Sequence, residues 1–241
     1  PIAYSDPVEG TRRRVVHTTY ALGYRVTMEA VDDDQWNVLD RMPADLGDSA
    51  RDHQERIAWD LLNDGYAGSR HTGLDGLSLF NAAHTTLRPE VGTQSNVLSP
   101  AGQLSVTGIE SMMTLALTTQ SEEGRYIDME QSTLLIHPDE LHNAYVLLET
   151  QFKSGSSDND ASTVVSSRSG LTPLAVPFLT ATRAWSVHDR PGRNSIQWNN
   201  RMSLTFKRGD DADTFDDKHI GCYRASVMFS EWRGNWGSNF S

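Results

Sequence analysis

The sequence predicts an α+β fold in which strand-rich segments at both ends bracket a helix–strand–helix unit, with a long helix before it. Three observations carry this. Val, Thr and Tyr crowd residues 11–31, with Val16, Thr18 and Tyr20 alternating with their neighbours. Apolar residues recur every three to four positions, with gaps, from Trp36 to Leu61. Two helical patterns flank the short apolar run "STLLIHP" at 132–138, and strand-like runs return from 171 onward.

Taken in order, residues 11–31 read as strands, with Gly23 expected at a bend or bulge. Asp32, Asp33 and Asp34 then open a helix, because carboxylates suit the unpaired N–H groups and positive dipole of a helix start. Trp36, Leu39, Met42, Leu46, Ala50, Ile57 and Leu61 give it an apolar stripe, and Pro43 is expected to kink or split it. A helix over 34–64 would span about 46 Å at 1.5 Å per residue, long for a compact domain. Residues 65–106 are rich in Gly, Ser, Thr and Asn and read as a long excursion that makes contacts. Thr107 and Glu110 form a capping box for a helix with Ile109, Met112, Met113 and Ala116 inward. The strand at 132–138 runs into a helix from Pro138, whose inner face is Leu141, Ala144, Tyr145 and Leu148. Residues 153–170 read as a polar loop. Strands follow at 171–188, and two or three long ones at 195–232, with "DDADTFDD" between them. There is no internal repeat and no true linker.

At 241 residues the chain suits one large domain or two small ones. Counting Gly and omitting Tyr, its apolar share is roughly 42%, a little under the globular norm, which hints at a thin or extended subunit. Thirty-two acidic residues against 21 basic ones give a net charge of −11. Such a chain is repelled by nucleic acid and by anionic membranes, so neither is its main partner. The single Cys222 forms no intrachain disulfide and points to a reducing compartment. No apolar run approaches the ~20 residues of a membrane span, and no signal segment is evident. The start at Pro1 suggests a processed N-terminus or a missing part.

Chemistry-bearing motifs are scarce. There is no GxGxxG, phosphate loop, GxSxG, HExxH or CxxC. His71 and His84 flank Asp75 in "DGLSLFNAAHTT"; they read either as a metal site of a soluble metallohydrolase or as a turn with a hydrogen-bonding histidine. His137 and His142, five apart, read as solvated or capping. Asp210, Asp211, Asp213, Asp216 and Asp217 resemble part of a calcium loop but lack its central Gly and closing Glu, so a solvated hairpin tip competes. Arg12, Arg13 and Arg14 either protect an exposed strand edge or pair with an acidic patch on another copy. Trp185, Trp198, Trp232 and Trp236 fit a core or an oligomer interface.

The passage "GYRVTMEAVDDDQWNVLDRMPADLGDSARDHQERIAWDLL", then "DGLSLFNAAHTT", "LLIHPDELHNAYVLLET" and "AWSVHD", resembles the Mu-like phage major head subunit group over most of residues 15–190. That group comprises tailed-phage major capsid proteins with the Hong Kong ninety-seven fold. The resemblance implies an E-loop hairpin in 1–31 and a peripheral (P) domain in 32–106 with a spine helix at 34–64. It further implies an inserted axial (A) domain at 107–187 and P-domain strands at 188–241. It implies inter-subunit contacts through Arg12, Arg13, Arg14 and Tyr20. The segment 75–86 becomes a P-domain turn, with Asp75 and Gly76 shaping it and Leu79 and Phe80 packing beneath the spine helix.

By the same resemblance, many copies in pentamers and hexamers build an icosahedral shell in the virion, assembled in the host cytoplasm around double-stranded DNA held without sequence recognition. Portal, scaffolding and decoration proteins are the implied partners. No catalysis, cofactor, metal or membrane is expected. An encapsulin-like nanocompartment shell is the alternative of the same fold. The only lysines are Lys153, Lys207 and Lys218, so the lysine-to-asparagine crosslink from an E-loop known in the namesake capsid is not expected.

Overall fold

The computed structural model describes residues 12, 14–35, 38–150, 170–193, 195–210, 214 and 216–239. The described residues fall into two compact units, one of 60–196 and 229–239, the other of 14–59 and 197–228.

The second unit is a three-stranded sheet carrying a helix. Strand β1 (Thr18–Val26) pairs antiparallel with β8 (Asp217–Phe229), and β7 (Ile196–Asp210) flanks β8 on its other side. The register between β1 and β8 is continuous from Thr18↔Ala225 to Val26↔Asp217, so Gly23 sits in a regular strand and makes no bulge. Its lack of a side chain has another reason: a Cβ there would stand 2.7 Å from the His219 carbonyl oxygen. Of the hairpin expected in 1–31, the described part holds the single strand β1, whose partner comes from the far end of the chain. Residues 1–11 and 13, and the polar loop to 169, lie outside the described residues.

After β1, Thr27 caps a short helix, α1 (Met28–Asp32), by accepting from the Ala30 amide. The acidic run therefore closes one helix before it prepares the next. Only Asp34 acts at the next start, its carboxylate accepting from the Val38 amide at 3.2 Å and the Leu39 amide at 3.0 Å. A 3-10 turn at Leu39–Arg41 leads into α2 (Met42–Asn63). Pro43 thus lies in the first turn of α2, where its missing N–H is no loss, and it neither kinks nor splits the helix. Twenty-two residues give α2 about 33 Å, shorter than the 34–64 span expected. Trp36 lies outside the described residues. Leu46 and Ala50 are buried, and a Cβ on Gly221 of β8 would touch both the Leu46 side chain and the Phe206 ring. Tyr20, His53 and Tyr223 form a ring cluster, with Tyr20 centroids 5.0 and 5.2 Å from the other two and the Tyr223 hydroxyl 2.8 Å from His53 Nδ1.

The first unit is built on a mixed four-stranded sheet. Its strands are β4 (Gln131–Ile136), β5 (Thr172–Ala175), β6 (Trp185–Asp189) and β9 (Asn235–Ser238), in the order β5-β4-β6-β9. Every residue of β6 and β9 is buried, which explains the absence of apolar–polar alternation in "WSVHD". Helices α3 (Val106–Leu117) and α4 (Leu141–Glu149) supply Ile109, Met112, Ala116 and Ala144 to a core shared with Leu134, Ile136, Trp185, Val187 and Trp236.

Two local expectations are corrected here. The N-cap of α3 is Ser105, whose Oγ accepts from the Gly108 amide at 3.1 Å; Thr107 lies inside the helix, so the capping box is not formed. Tyr145 is 44% exposed and so is not part of the inner face of α4. Pro138 begins a 3-10 turn that feeds α4, with His137 as its cap. The long excursion 65–106 holds only a 3-10 turn and two two-residue strands, β2 (His84–Thr85) and β3 (Thr93–Gln94), which pair with each other.

Candidate functional site

The turn at 73–86 is organised around Asp75. Gly73 donates to the Leu77 carbonyl at 2.7 Å, and Gly76 turns the chain with φ +78°. A Cβ on Gly73 would lie 2.6 Å from Asp75 Oδ1 and 3.0 Å from the Phe229 ring, so glycine is required there. Asp75 Oδ1 accepts from the Leu77 amide, and Oδ2 lies 2.6 Å from His84 Nδ1. Burial pushes the Asp75 carboxyl up, but the His84 and Leu77 hydrogen bonds and the nearby His84 charge outweigh it and hold it below the usual range. His84 is fully buried and stacks on Trp232 with 4.4 Å between centroids and 5° between planes.

Beyond the indole, the Arg233 guanidinium carbon lies 4.5 Å from the Trp232 ring centroid. Arg233 is itself 3% exposed and donates to Glu122, Glu231 and the Gln120 carbonyl at 2.7–2.8 Å. This chain of contacts ties the loop 73–86 to residues 120–122 and to the segment 229–236. Leu79 and Phe80 are both buried. Phe80 stacks on Tyr66, just past the end of α2, at 4.7 Å, and approaches His188 at 6.4 Å.

His71 is held differently. Its backbone amide donates to Asp64, which also accepts from the amides of Ser69 and Arg70 and the Ser69 hydroxyl at 2.5–3.0 Å. Burial raises the Asp64 carboxyl, and these four donors overcome it, lowering it to about 2. His71, Asp75 and His84 do not converge: no group of three metal-binding side chains occurs among the described residues. His84 Nε2 is buried with no hydrogen-bond partner, so the ring presents no reactive nitrogen to solvent. The Asp75–His84 pair is a buried fastening between loop and strand.

The other residues singled out by the sequence lie on the surface or outside the described part. Arg12 and Arg14 are exposed, and Arg13 is outside the described residues. Tyr20 is half-buried in the His53–Tyr223 cluster of its own unit. Asp211 and Asp213 are outside the described residues, while Asp216 accepts from the Thr214 hydroxyl and lies 3.4 Å from Arg25. Trp185, Trp232 and Trp236 are buried, and Trp198 is exposed. No described helix is long and apolar enough to cross a membrane.

The sheet-and-helix architecture is that of tailed-phage shell proteins of the Hong Kong ninety-seven type. The structure of the Mycobacterium phage Che8 protein superposes with a TM-score of 0.52 at 11% identity, over 91% of this chain and 70% of that one. The bacteriophage JBD30 capsid, decorated with minor capsid protein trimers, gives 0.55 at 12% identity over 69% and 75%. The holo-SrpI encapsulin of Synechococcus elongatus PCC 7942 gives 0.54 at 11% identity over 95% and 76%. No curated protein sequence matches the chain. The family profile described as phage capsid protein matches residues 11–235, and the chain belongs to that family. It is a major capsid protein, a structural subunit of the virion.

Proposed function

We propose that this chain is the head subunit of a tailed phage of the Mu-like group, tiling an icosahedral shell around double-stranded DNA. The observation that carries this reading is the family match over 11–235, joined to the ordered resemblance of "DGLSLFNAAHTT" and "LLIHPDELHNAYVLLET" to that group. Pentamers and hexamers need head-to-tail contacts that close into rings, and many weak contacts suffice because each copy is held by several neighbours. Of the arm assigned to 1–31, the exposed Arg12 and Arg14 remain candidates for contacts with a neighbouring copy, whereas β1 is paired with β8 and Tyr20 is engaged by His53 and Tyr223 of its own unit. The P domain comprises 32–106, with the turn of Asp75, Gly76, Leu79 and Phe80, together with strands of 188–241. The A domain of 107–187 gains Asn235–Ser238, since β9 hydrogen-bonds to β6. Assembly takes place in the host cytoplasm, with a portal and with scaffolding or decoration proteins as partners. The chain has no catalytic role; burial of His84 speaks against the metallohydrolase reading.

The similarity to an encapsulin favours one second reading, a compartment that encloses protein. The test is the content of purified particles after nuclease treatment. Protected DNA of uniform length supports the phage head; an enclosed protein without DNA overturns it.

A further inference from the structure

The second unit is electrically two-sided. Leu46, Gly221 and Phe206 meet on the α2 side of the sheet, and strand alternation then fixes what points the other way. The outward positions of β1, β8 and β7 hold Arg25, Lys218, Arg224, Arg201 and Lys207, and within the strands no Asp or Glu; just before β8, Asp216 partly neutralises Arg25 at 3.4 Å. Arg25, Arg201, Lys207 and Arg224 are exposed. Between the cations, on the central strand, lie Ile220, 44% exposed, and the half-buried Cys222.

The helical layer has the opposite sign. Residues 28–59 carry nine carboxylates and three arginines, a net of −6 from 3 minus 9. Asp45, Asp48, Asp52 and Glu55 follow each other at spacings of three, four and three, so they share one helical face. That face is opposite the buried Leu46 and Ala50, and all four carboxylates are exposed. Arg56 lies 2.9 Å from Asp52 and Arg51 3.9 Å from Glu55 within the helix, so the charge open to another copy is concentrated at Asp45 and Asp48. The stripe from Asp45 to Glu55 is about 15 Å long at 1.5 Å per residue. The row from Arg201 to Lys207 is about 20 Å long at 3.3 Å per residue.

We propose that the outward basic face of the β1–β8–β7 sheet docks on the acidic α2 stripe of a second copy. The proposal rests on the shell-forming role given above. Charge complementarity favours this occupant. A nucleic acid would be repelled by a chain of net charge −11, whereas every neighbouring copy presents the matching stripe. Each exposed ion pair contributes little, but the contact repeats around a closed assembly.

The test compares wild type, Arg201→Glu/Lys207→Glu, and that variant combined with Asp45→Arg/Asp48→Arg. Circular dichroism establishes that each is folded, and sedimentation gives the particle fraction. The first reversal is expected to lower that fraction by about tenfold or more, and the combined reversal to recover most of it, as like charges across a contact are strongly disfavoured. In unmodified protein, Cys222 should react with a thiol reagent in dissociated chains and be protected in particles. Normal assembly of the first variant, or a folded combined variant without recovery, would overturn the proposal. So would equal Cys222 reactivity in both states, or a loss confined to DNA retention. Wild-type protein that forms no particles refutes the shell reading itself; particles with reactive Cys222 refute only this contact.

Discussion

Replacing Phe80 by alanine tests whether the 73–86 turn is a packing element. The ring is 4% exposed. It stacks on Tyr66 and lies so close to Gly65 and Gly237 that a Cβ on either would come within 2.9 Å of it. Truncating a buried Phe costs about 3–5 kcal/mol, from lost transfer energy plus the cavity left behind. The site borders an existing cleft lined by Tyr66, Leu135 and Trp185, so some relaxation is available and a cost of about 3 kcal/mol is expected. With a urea m-value of about 2–3 kcal/mol/M, the unfolding midpoint of dissociated subunits should fall by about 1–1.5 M. A Tyr66→Leu partner mutation should then show a coupling of about 0.5–1.5 kcal/mol, the usual range for an aromatic pair. A loss below about 1 kcal/mol in the single variant would refute the packing role, being far beneath the cost of emptying a buried ring site.

Asp64 gives a pH dependence of defined sign. Its carboxyl is lowered to about 2 from an ordinary 3.8, so its contribution is complete above the ordinary value and is lost as pH falls from about 4 to about 2. This amounts to at most about 2 kcal/mol, and Asp64→Asn should flatten that part of the stability–pH curve measured by denaturant titration. Ser105→Ala removes the α3 cap and should cost about 1 kcal/mol in the same assay, whereas Thr107→Ala should cost well under that. With lysine confined to positions 153, 207 and 218, particles boiled in detergent should run as single chains on electrophoresis, and a covalent ladder would contradict this.

The parts legible in the sequence were those with a local cause. The periodic stripe from Leu46 to Leu61 announced α2, and "STLLI" before Pro138 announced β4 and the turn into α4. Local signals also misled where two readings fit the same residues. Pro43 reads as a breaker until the helix start is known, and the Thr107–Glu110 spacing imitates a cap that Ser105 provides two residues earlier.

What the sequence could not display was long-range pairing. Strand β9 is four residues long, "NWGS", with no alternation, and it is a strand because β6 lies beside it. The Asp75–His84 contact was visible as two candidate residues, but Trp232 and Arg233, about 150 positions later, had no signal linking them to it. The outward basic face was hidden by the overall acidity, since it emerges only once β1, β7 and β8 are placed side by side.

The most direct measurement of the central claim is electron microscopy of the purified chain under conditions that keep it folded. Closed, uniform particles made of this chain are the expected result. A folded, monodisperse species that stays a single subunit at high concentration would contradict it.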